Sequence, residues 1–326
     1  MPHVLITTAP FAEKNREPLE LLEREGYTYL VNPFGRKITE EDYLTLIPEV
    51  DALVAGTEPI TARVMAAAPK LKVISRVGIG LDNVDLIEAR ARGIAVSYTP
   101  DAPSPAVAEL TIGLMLSLLR GIHTANPGAH AGKWQRIMGR RLNQSTVGVI
   151  GAGRIGGRVV NLLRPFGGRI IAHDIVPSPA VEGVEWVGLP QLLAEADVIS
   201  IHVPLTGQTM GLVGAEELAA MKKDAVLINT ARGGIVDEAA LAQVLRARAI
   251  GGAAIDVFRV EPYSGELCGL DNCLLTSHMG SMSEDCRFTM EYEAVANAIK
   301  FLKHEPIEQL VPESEYALRA SLQAAR

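Results

Sequence analysis

The sequence predicts an α/β protein of two doubly wound parallel-sheet domains, with helices covering both faces of each sheet. Two observations carry this. Short β-branched runs alternate with helix-period segments through almost all of the 326-residue chain, the pattern of parallel strands joined by helical crossovers. The alternation breaks once, near Pro100, at the proline-rich connection "TPDAPSPAVAEL". A chain of this length holds about two domains. We place the first at residues 1–100 with a return at about 296–326, and the second at 101–295. The interdomain cleft between two such lobes is the expected place for a ligand.

The strands of the first block are "HVLIT", "YTYLV", "ALVAG", "KVISRV" and "IAVSYT". Between them, "EPLELLERE" sets Leu19, Leu22 and Glu23 at helical spacing. After the break, "PAVAELTIGLMLSLL" is a long helix whose first turn tolerates proline, because no backbone donor is missed there. "GKWQRIMGRRLNQS" is irregular and polar. The second block then gives "TVGVIGAG", "RIIAHD", "DVISIHVP", "AVLINT", "GAAIDVF" and "CLLTSH", several of them apolar along their length, as strands buried on both faces are. A last helix, about Glu284 to Lys303, carries Met290, Val295, Ile299 and Leu302 and returns the chain to the first lobe.

Composition narrows the function. Hydrophobic residues make up 48% of the chain, enough for sizeable cores, and the net charge is −7 with no Lys/Arg block. Nucleic acid is therefore not an expected partner, since phosphate binding needs clustered positive charge; Arg136, Arg140 and Arg141 form a solvated face. Cys268, Cys273 and Cys286 form no C-x-x-C pair and have no histidine at ligand spacing, so no metal is expected. An odd cysteine count fits a reducing compartment. "MPHVLITTAP" is a first strand rather than a leader, and the longest apolar run carries Glu109 and is too short for a bilayer. A soluble, cytoplasmic protein without a membrane partner is expected.

The chemistry begins at "TVGVIGAGRIGGRVV". Gly151, Gly153 and Gly156 stand in G-x-G-x-x-G spacing between the strand Val147–Ile150 and a helix running to about Phe166. The next strand, "GRIIAHD", ends in Asp174, 18 residues after Gly156. This is the complete unit of a dinucleotide site: glycines for the turn, for approach of the pyrophosphate and for helix packing, then an acid for the ribose. Asp174 would repel a 2′-phosphate, and "DIVPSP" has no arginine to hold one, so NAD is the expected cofactor.

Three more polar residues follow separate strands of the same lobe. Arg232 follows "AVLINT", Glu261 comes five residues after Asp256 at the end of "GAAID", and His278 closes "NCLLTSH". Parallel strands bring such ends to one edge of the sheet. An arginine there can hold a carboxylate with two parallel hydrogen bonds. Histidine is the side chain best suited to donate a proton near neutral pH.

With "SRVGIGLDNVDL" (75–86), the "AVAEL" helix, "IHVPLT" (201–206), "NTARGGIVDE" (229–238) and "IDVFRVEP" (255–262), the chain resembles the D-isomer-specific 2-hydroxyacid dehydrogenases, including the phosphoglycerate dehydrogenase-like members, over nearly its whole length. The resemblance implies Rossmann- and flavodoxin-like lobes and an NAD-dependent oxidoreductase. Hydride would move between NADH and C2 of a 2-oxo acid, giving a D-2-hydroxy acid. It makes Arg232 the carboxylate-binding residue, His278 the proton donor and acceptor, and Glu261 the residue holding the other ring nitrogen. Cofactor contacts are implied from Gly151, Gly153, Arg154, Ile155, Gly156, Asp174, His202, Pro204, Thr230, Ala231, Asp256 and Gly280, and substrate contacts from Arg76, Val77, Gly78 and Arg232. A homodimer formed through the region after residue 100 is implied as well.

The chain departs from the family pattern at Ser277, where proline is usual, at Arg259, and along "SMSEDCRFTME". Phosphoglycerate dehydrogenases resemble it in having an arginine at the position of Arg76, but carry another at a strand end where this chain has Ala55. The alternatives within the fold are a formate- or phosphite-type dehydrogenase, of which the formate enzymes have glutamine in place of Glu261, and an NAD-sensing corepressor-type binding protein.

Overall fold

The computed structural model describes residues 2–324. The chain divides into two compact units, Met1–Pro103 with Met282–Arg326, and Ser104–Ser281. Of the expected first domain, residues 1, 325 and 326 lie outside the described residues.

The first unit holds five strands: β1 His3–Ile6, β2 Thr28–Val31, β3 Ala52–Ala55, β4 Val73–Arg76 and β5 Ala95–Ser97. All pair in parallel in the order β2-β1-β3-β4-β5, the flavodoxin-like arrangement. β3 and β4 are buried at every residue, which is why β3 is apolar throughout rather than alternating. Between β2 and β3 the helix Glu40–Leu46 starts at a capping box. Thr39 Oγ1 accepts from the Asp42 N–H at 3.3 Å, and the Asp42 carboxylate accepts from the Thr39 N–H at 2.7 Å.

The helix Glu284–Leu302 belongs wholly to this unit and packs on the helix Glu17–Arg24 and on β3, β4 and β5. The chain thus returns at Met282, earlier than the boundary expected near 296. Polar bonds fix the helix along its length. Ser75 Oγ donates to the Ala294 carbonyl at 2.7 Å, and Ser97 Oγ donates to Ser75 Oγ at 2.9 Å. Near its start, the buried Glu291 accepts from Arg287 Nη2 at 2.6 Å and from the Ala12 N–H at 2.9 Å, while Arg287 Nη2 also donates to the Pro10 carbonyl at 2.5 Å. The unusual "SMSEDCRFTME" stretch is therefore the start of the returning helix, with its arginine and last glutamate clamped on the loop after β1.

The second unit holds β6 Val147–Ile150, β7 Ile170–His173, β8 Glu185–Trp186, β9 Val198–Ile201, β10 Val226–Asn229, β11 Gly252–Ile255 and β12 Cys273–Leu275. Their order is β12-β11-β10-β9-β6-β7-β8, all parallel. The strand order reverses between β6 and β9, the switch point where doubly wound sheets open a crevice beyond their carboxyl ends. On one face the helices Ser104–Arg120 and Arg154–Leu163 pack together. The first of these bends by 68° at Gly121 into Ile122–His130. No single helix among the described residues is long and apolar enough to cross a membrane.

Removing one partner of a buried ion pair leaves the other charge uncompensated. Glu291→Ala is expected to lower the unfolding free energy by roughly 3–5 kcal/mol. Urea unfolding of the two proteins measures it, and a loss indistinguishable from zero would show that the clamp is not structural.

Candidate active site

The glycine loop follows β6. A Cβ at Gly156 would sit 1.9 Å from the Gly151 carbonyl oxygen, and one at Gly151 would sit 2.8 Å from that of His202, so both positions are closed to side chains. Gly153 has no atom within 4 Å of such a Cβ and lies open at the start of the helix Arg154–Leu163. The turn is tied to Asp174: Oδ2 accepts from the Ala152 N–H at 2.9 Å and Oδ1 from the Val176 N–H at 3.1 Å. Each oxygen keeps a further lone pair for other donors. Arg154 and Pro204 are exposed and Ile155 is half-buried.

His202 follows β9. Its Nε2 lies 2.7 Å from the buried Ser200 hydroxyl, and its buried Nδ1 has no partner among the described residues. Burial pushes the imidazole down to about 3, so the ring is neutral. After β10, Asn229 shapes the next turn: Oδ1 accepts from the Ala231 N–H at 3.0 Å and Nδ2 donates to the Arg232 carbonyl at 2.9 Å. Thr230 is buried, its hydroxyl 3.0 Å from that of Thr111. Arg232 is half-buried and Nη1 donates to the Ala231 carbonyl at 2.7 Å. Asp237 caps the following helix, accepting from the Ala239 and Ala240 N–H groups.

The turns after β11 and β12 meet. His278 Nδ1 lies 2.9 Å from Glu261 Oε2 and 3.1 Å from Oε1, and both side chains are about a quarter exposed. Glu261 Oε1 also accepts from the Phe258 N–H at 3.0 Å. Asp256 holds the histidine's backbone. It is fully buried; Oδ1 accepts from the Thr276 hydroxyl at 2.6 Å and the Met279 N–H at 2.9 Å, and Oδ2 from the Gly280 N–H at 3.0 Å. The Asp256 carbonyl accepts from the His278 N–H at 2.7 Å, and His278 takes a left-handed φ of 52°. Sequence reasoning missed Thr276 and Asn229, although each is a polar residue closing an apolar strand. Ser277 and Arg259 are exposed; the Arg259 N–H donates to Glu238 Oε1 at 2.7 Å.

In the first unit, the first two amides of the loop after β4 are engaged within the protein. The Val77 N–H donates to the Ala55 carbonyl at 2.8 Å, and the Gly78 N–H to Thr99 Oγ1 at 2.8 Å. Arg76 is buried beneath the loop. Of the amides in "VGIG", those of Ile79 and Gly80 have no partner among the described residues.

Comparison with known proteins gives the family of the chain. Residues 112–280 match the family described as D-isomer specific 2-hydroxyacid dehydrogenase, NAD binding domain. The chain is 39% identical over 293 residues to a hydroxypyruvate reductase of Thermotoga maritima, covering 86% of this chain and 96% of that one. It is 39% identical over 316 residues to a D-3-phosphoglycerate dehydrogenase of Methanocaldococcus jannaschii, covering 94% of this chain but only 59% of the longer relative. The crystal structure of the TT0316 protein from Thermus thermophilus superposes with a TM-score of 0.88 at 35% identity, over 95% of this chain and all of that one. The chain belongs to the D-isomer specific 2-hydroxyacid dehydrogenases. It is an NAD-dependent oxidoreductase of 2-oxo and D-2-hydroxy acids. The residues present fit the cofactor: a side-chain-free cradle at Gly151 and Gly156, an open helix start at Gly153, and the Asp174 carboxylate beside them.

The neutral His202 gives a pH prediction. The unfolded chain takes up a proton near the ordinary histidine value, about 6.5, whereas folded His202 does so only at about 3. Between those values the unfolded state binds more protons, so stability falls as pH falls. The loss from this group is roughly 2–3 kcal/mol by about pH 4.5. His202→Gln, which places an amide near the position of Nε2, should flatten that acid slope. Urea midpoints from pH 7 down to 4.5 test this, and identical slopes in both proteins would refute it.

Proposed function

We propose that Arg232, Glu261 and His278 carry the reduction of a small 2-oxo acid, such as hydroxypyruvate or glyoxylate, and its reverse. The observation behind this is the Glu261–His278 pair, made by turns after adjacent strands β11 and β12, with Arg232 on the turn after the next strand, β10. NAD, when bound, supplies or accepts the hydride. With Nδ1–H donated to Glu261, the ring presents Nε2 to the substrate. A proton on Nε2 passes to the carbonyl oxygen as the alcohol forms, and returns to Nε2 in oxidation. Arg232 binds the substrate carboxylate through its paired donors and stabilises negative charge building on the adjacent oxygen. Glutamate at 261 favours this reading over formate oxidation.

We also propose a homodimer, formed by the segment after Gly121. Trp134 is 88% and Met138 99% exposed there, with Ile122 and Ile137 also exposed on the same segment, and clustered exposed apolar side chains mark interaction surfaces. Sedimentation of the unaltered protein as a monomer at micromolar concentration would refute it.

The reaction is tested with NADH and a panel of 2-oxo acids. His278→Ala should lower kcat by about 10²–10⁴-fold. Glu261→Gln should lower kcat with a smaller change in KM. Arg232→Lys keeps the charge but loses the paired geometry, so kcat/KM for the acid should fall while NADH affinity holds. Near-normal turnover in His278→Ala would remove the histidine from the reaction, and collapse of NADH affinity in Arg232→Lys would reassign the arginine.

A further inference from the structure

Glu238 opens the helix Glu238–Arg246, which follows the turn carrying Arg232. A glutamate in a first helical turn is ordinarily explained by capping or by attraction to the helix dipole. Here the cap is already filled: Asp237 Oδ1 accepts from the Ala239 and Ala240 N–H groups, each at 3.0 Å. The Glu238 carboxylate reaches away from its own helix to the turn that carries Glu261, where Oε1 accepts from the Arg259 N–H at 2.7 Å. The Phe258–Arg259 peptide group presses against the backbone after Arg232. A Cβ at Gly233 would fall 2.1 Å from its oxygen and 2.3 Å from its nitrogen. One residue back, the Phe258 N–H donates to Glu261 Oε1 at 3.0 Å, and the Phe258 ring stacks on Tyr263 with centroids 4.2 Å apart. Two successive amides are therefore held by two carboxylates, and the carboxylate of Glu261 also holds His278 Nδ1 at 2.9 Å. Arg259 and Val260 are exposed, so packing of their side chains does little to fix the turn.

We propose that Glu238 is a positioning residue of the reaction: by fixing the Phe258–Arg259 peptide to the helix that follows Arg232, it sets the place from which Glu261 orients the His278 ring. This rests on the reading of the reaction given above. A bond from an amide to an ionised acceptor is stronger than one between neutral groups. Without it the Phe258–Arg259 peptide can turn, and the Phe258 N–H turns away from Glu261 Oε1. The glutamate then holds the imidazole less firmly. Arg232 is spared, because its own turn is closed by Asn229, through the Ala231 N–H and the Arg232 carbonyl. A displaced ring costs rate, since proton transfer depends on orientation. Binding of the acid by Arg232 changes less.

The test measures kcat and KM for hydroxypyruvate, and NADH affinity, in the unaltered protein and in Glu238→Ala, Glu238→Asp and Glu238→Gln. Glu238→Ala should lower kcat about tenfold, as loss of a hydrogen bond to a charged group does, with KM and NADH affinity nearly unchanged. Glu238→Asp keeps the charge at the helix start but is one methylene too short for the Arg259 N–H, and should lose kcat as the alanine variant does. Glu238→Gln keeps the acceptor oxygen and should recover most of the rate. Added to Glu261→Gln, Glu238→Ala should lower kcat little further, because both act through one carboxylate. Independently of turnover, the ring resonances of His278 should shift in the Ala and Asp variants and return in the Gln variant, and exchange of the Phe258 and Arg259 amides should follow the same order. The proposal is overturned if Glu238→Asp keeps full kcat, if Glu238→Gln is no better than Glu238→Ala, if the losses of the double variant multiply, or if NADH affinity is what falls. The Asp and Gln variants decide the matter even where Glu238→Ala does not fold. Absence of turnover with every 2-oxo acid in the unaltered protein would overturn the reading of the reaction alone, and the His278 resonances would still decide whether Glu238 sets that ring.

Discussion

Strands β3, β4, β6, β9, β10 and β11 are buried at nearly every residue, so their backbone donors and acceptors are committed to the parallel ladders. Only where a strand ends does the chain regain polar groups able to bond something else. Every residue given a chemical role above stands within a few positions of such an end, or in the turn beyond it. The site is thus a consequence of covering a parallel sheet on both faces.

The turns then face a difficulty of their own. A buried donor left without a partner costs about 1–3 kcal/mol, and turns lack ladders. In both units short polar side chains fill the gap. Asp174 closes the glycine loop, Asn229 the arginine turn, Asp256 the histidine turn, and Asn83 the loop after β4. Asp256 goes furthest: its bonds to the Met279 and Gly280 amides surround a histidine whose φ of 52° is uncommon for a side-chain-bearing residue. The arginine turn and the histidine turn thus depend on Asn229 and Asp256, which are buried.

This division explains what could be read from the sequence. The strands, the glycine loop with Asp174, and the three polar residues after separate strands are all local signals, set by period or short spacing. The returning helix was legible, but not that it belongs to the first unit from its very start, because Glu291 reaches Ala12 across nearly the whole length of the sequence. Nor was the setting of Val77 and Gly78, whose amides are taken by Ala55 and Thr99, both more than twenty residues away. Asp256 was legible as a residue near the site, but the bonds through which it holds the histidine turn depend on β12 lying beside β11. The capping box at Thr39 is the opposite case, a local signal present in "TEED" that marks a helix the alternation alone does not show.

Gly233 joins two of these turns by contact. A Cβ there would fall 1.9 Å from the Phe258 carbonyl carbon, so the backbone after Arg232 rests directly on the backbone before Glu261. No side chain can be inserted between them without driving the two apart. Divergence of this chain toward a different acid is therefore barred from passing through that seam. Side chains at Arg259, Val260 and Met279, on the exposed shoulder of the same turns, can lengthen or shrink while that seam is kept.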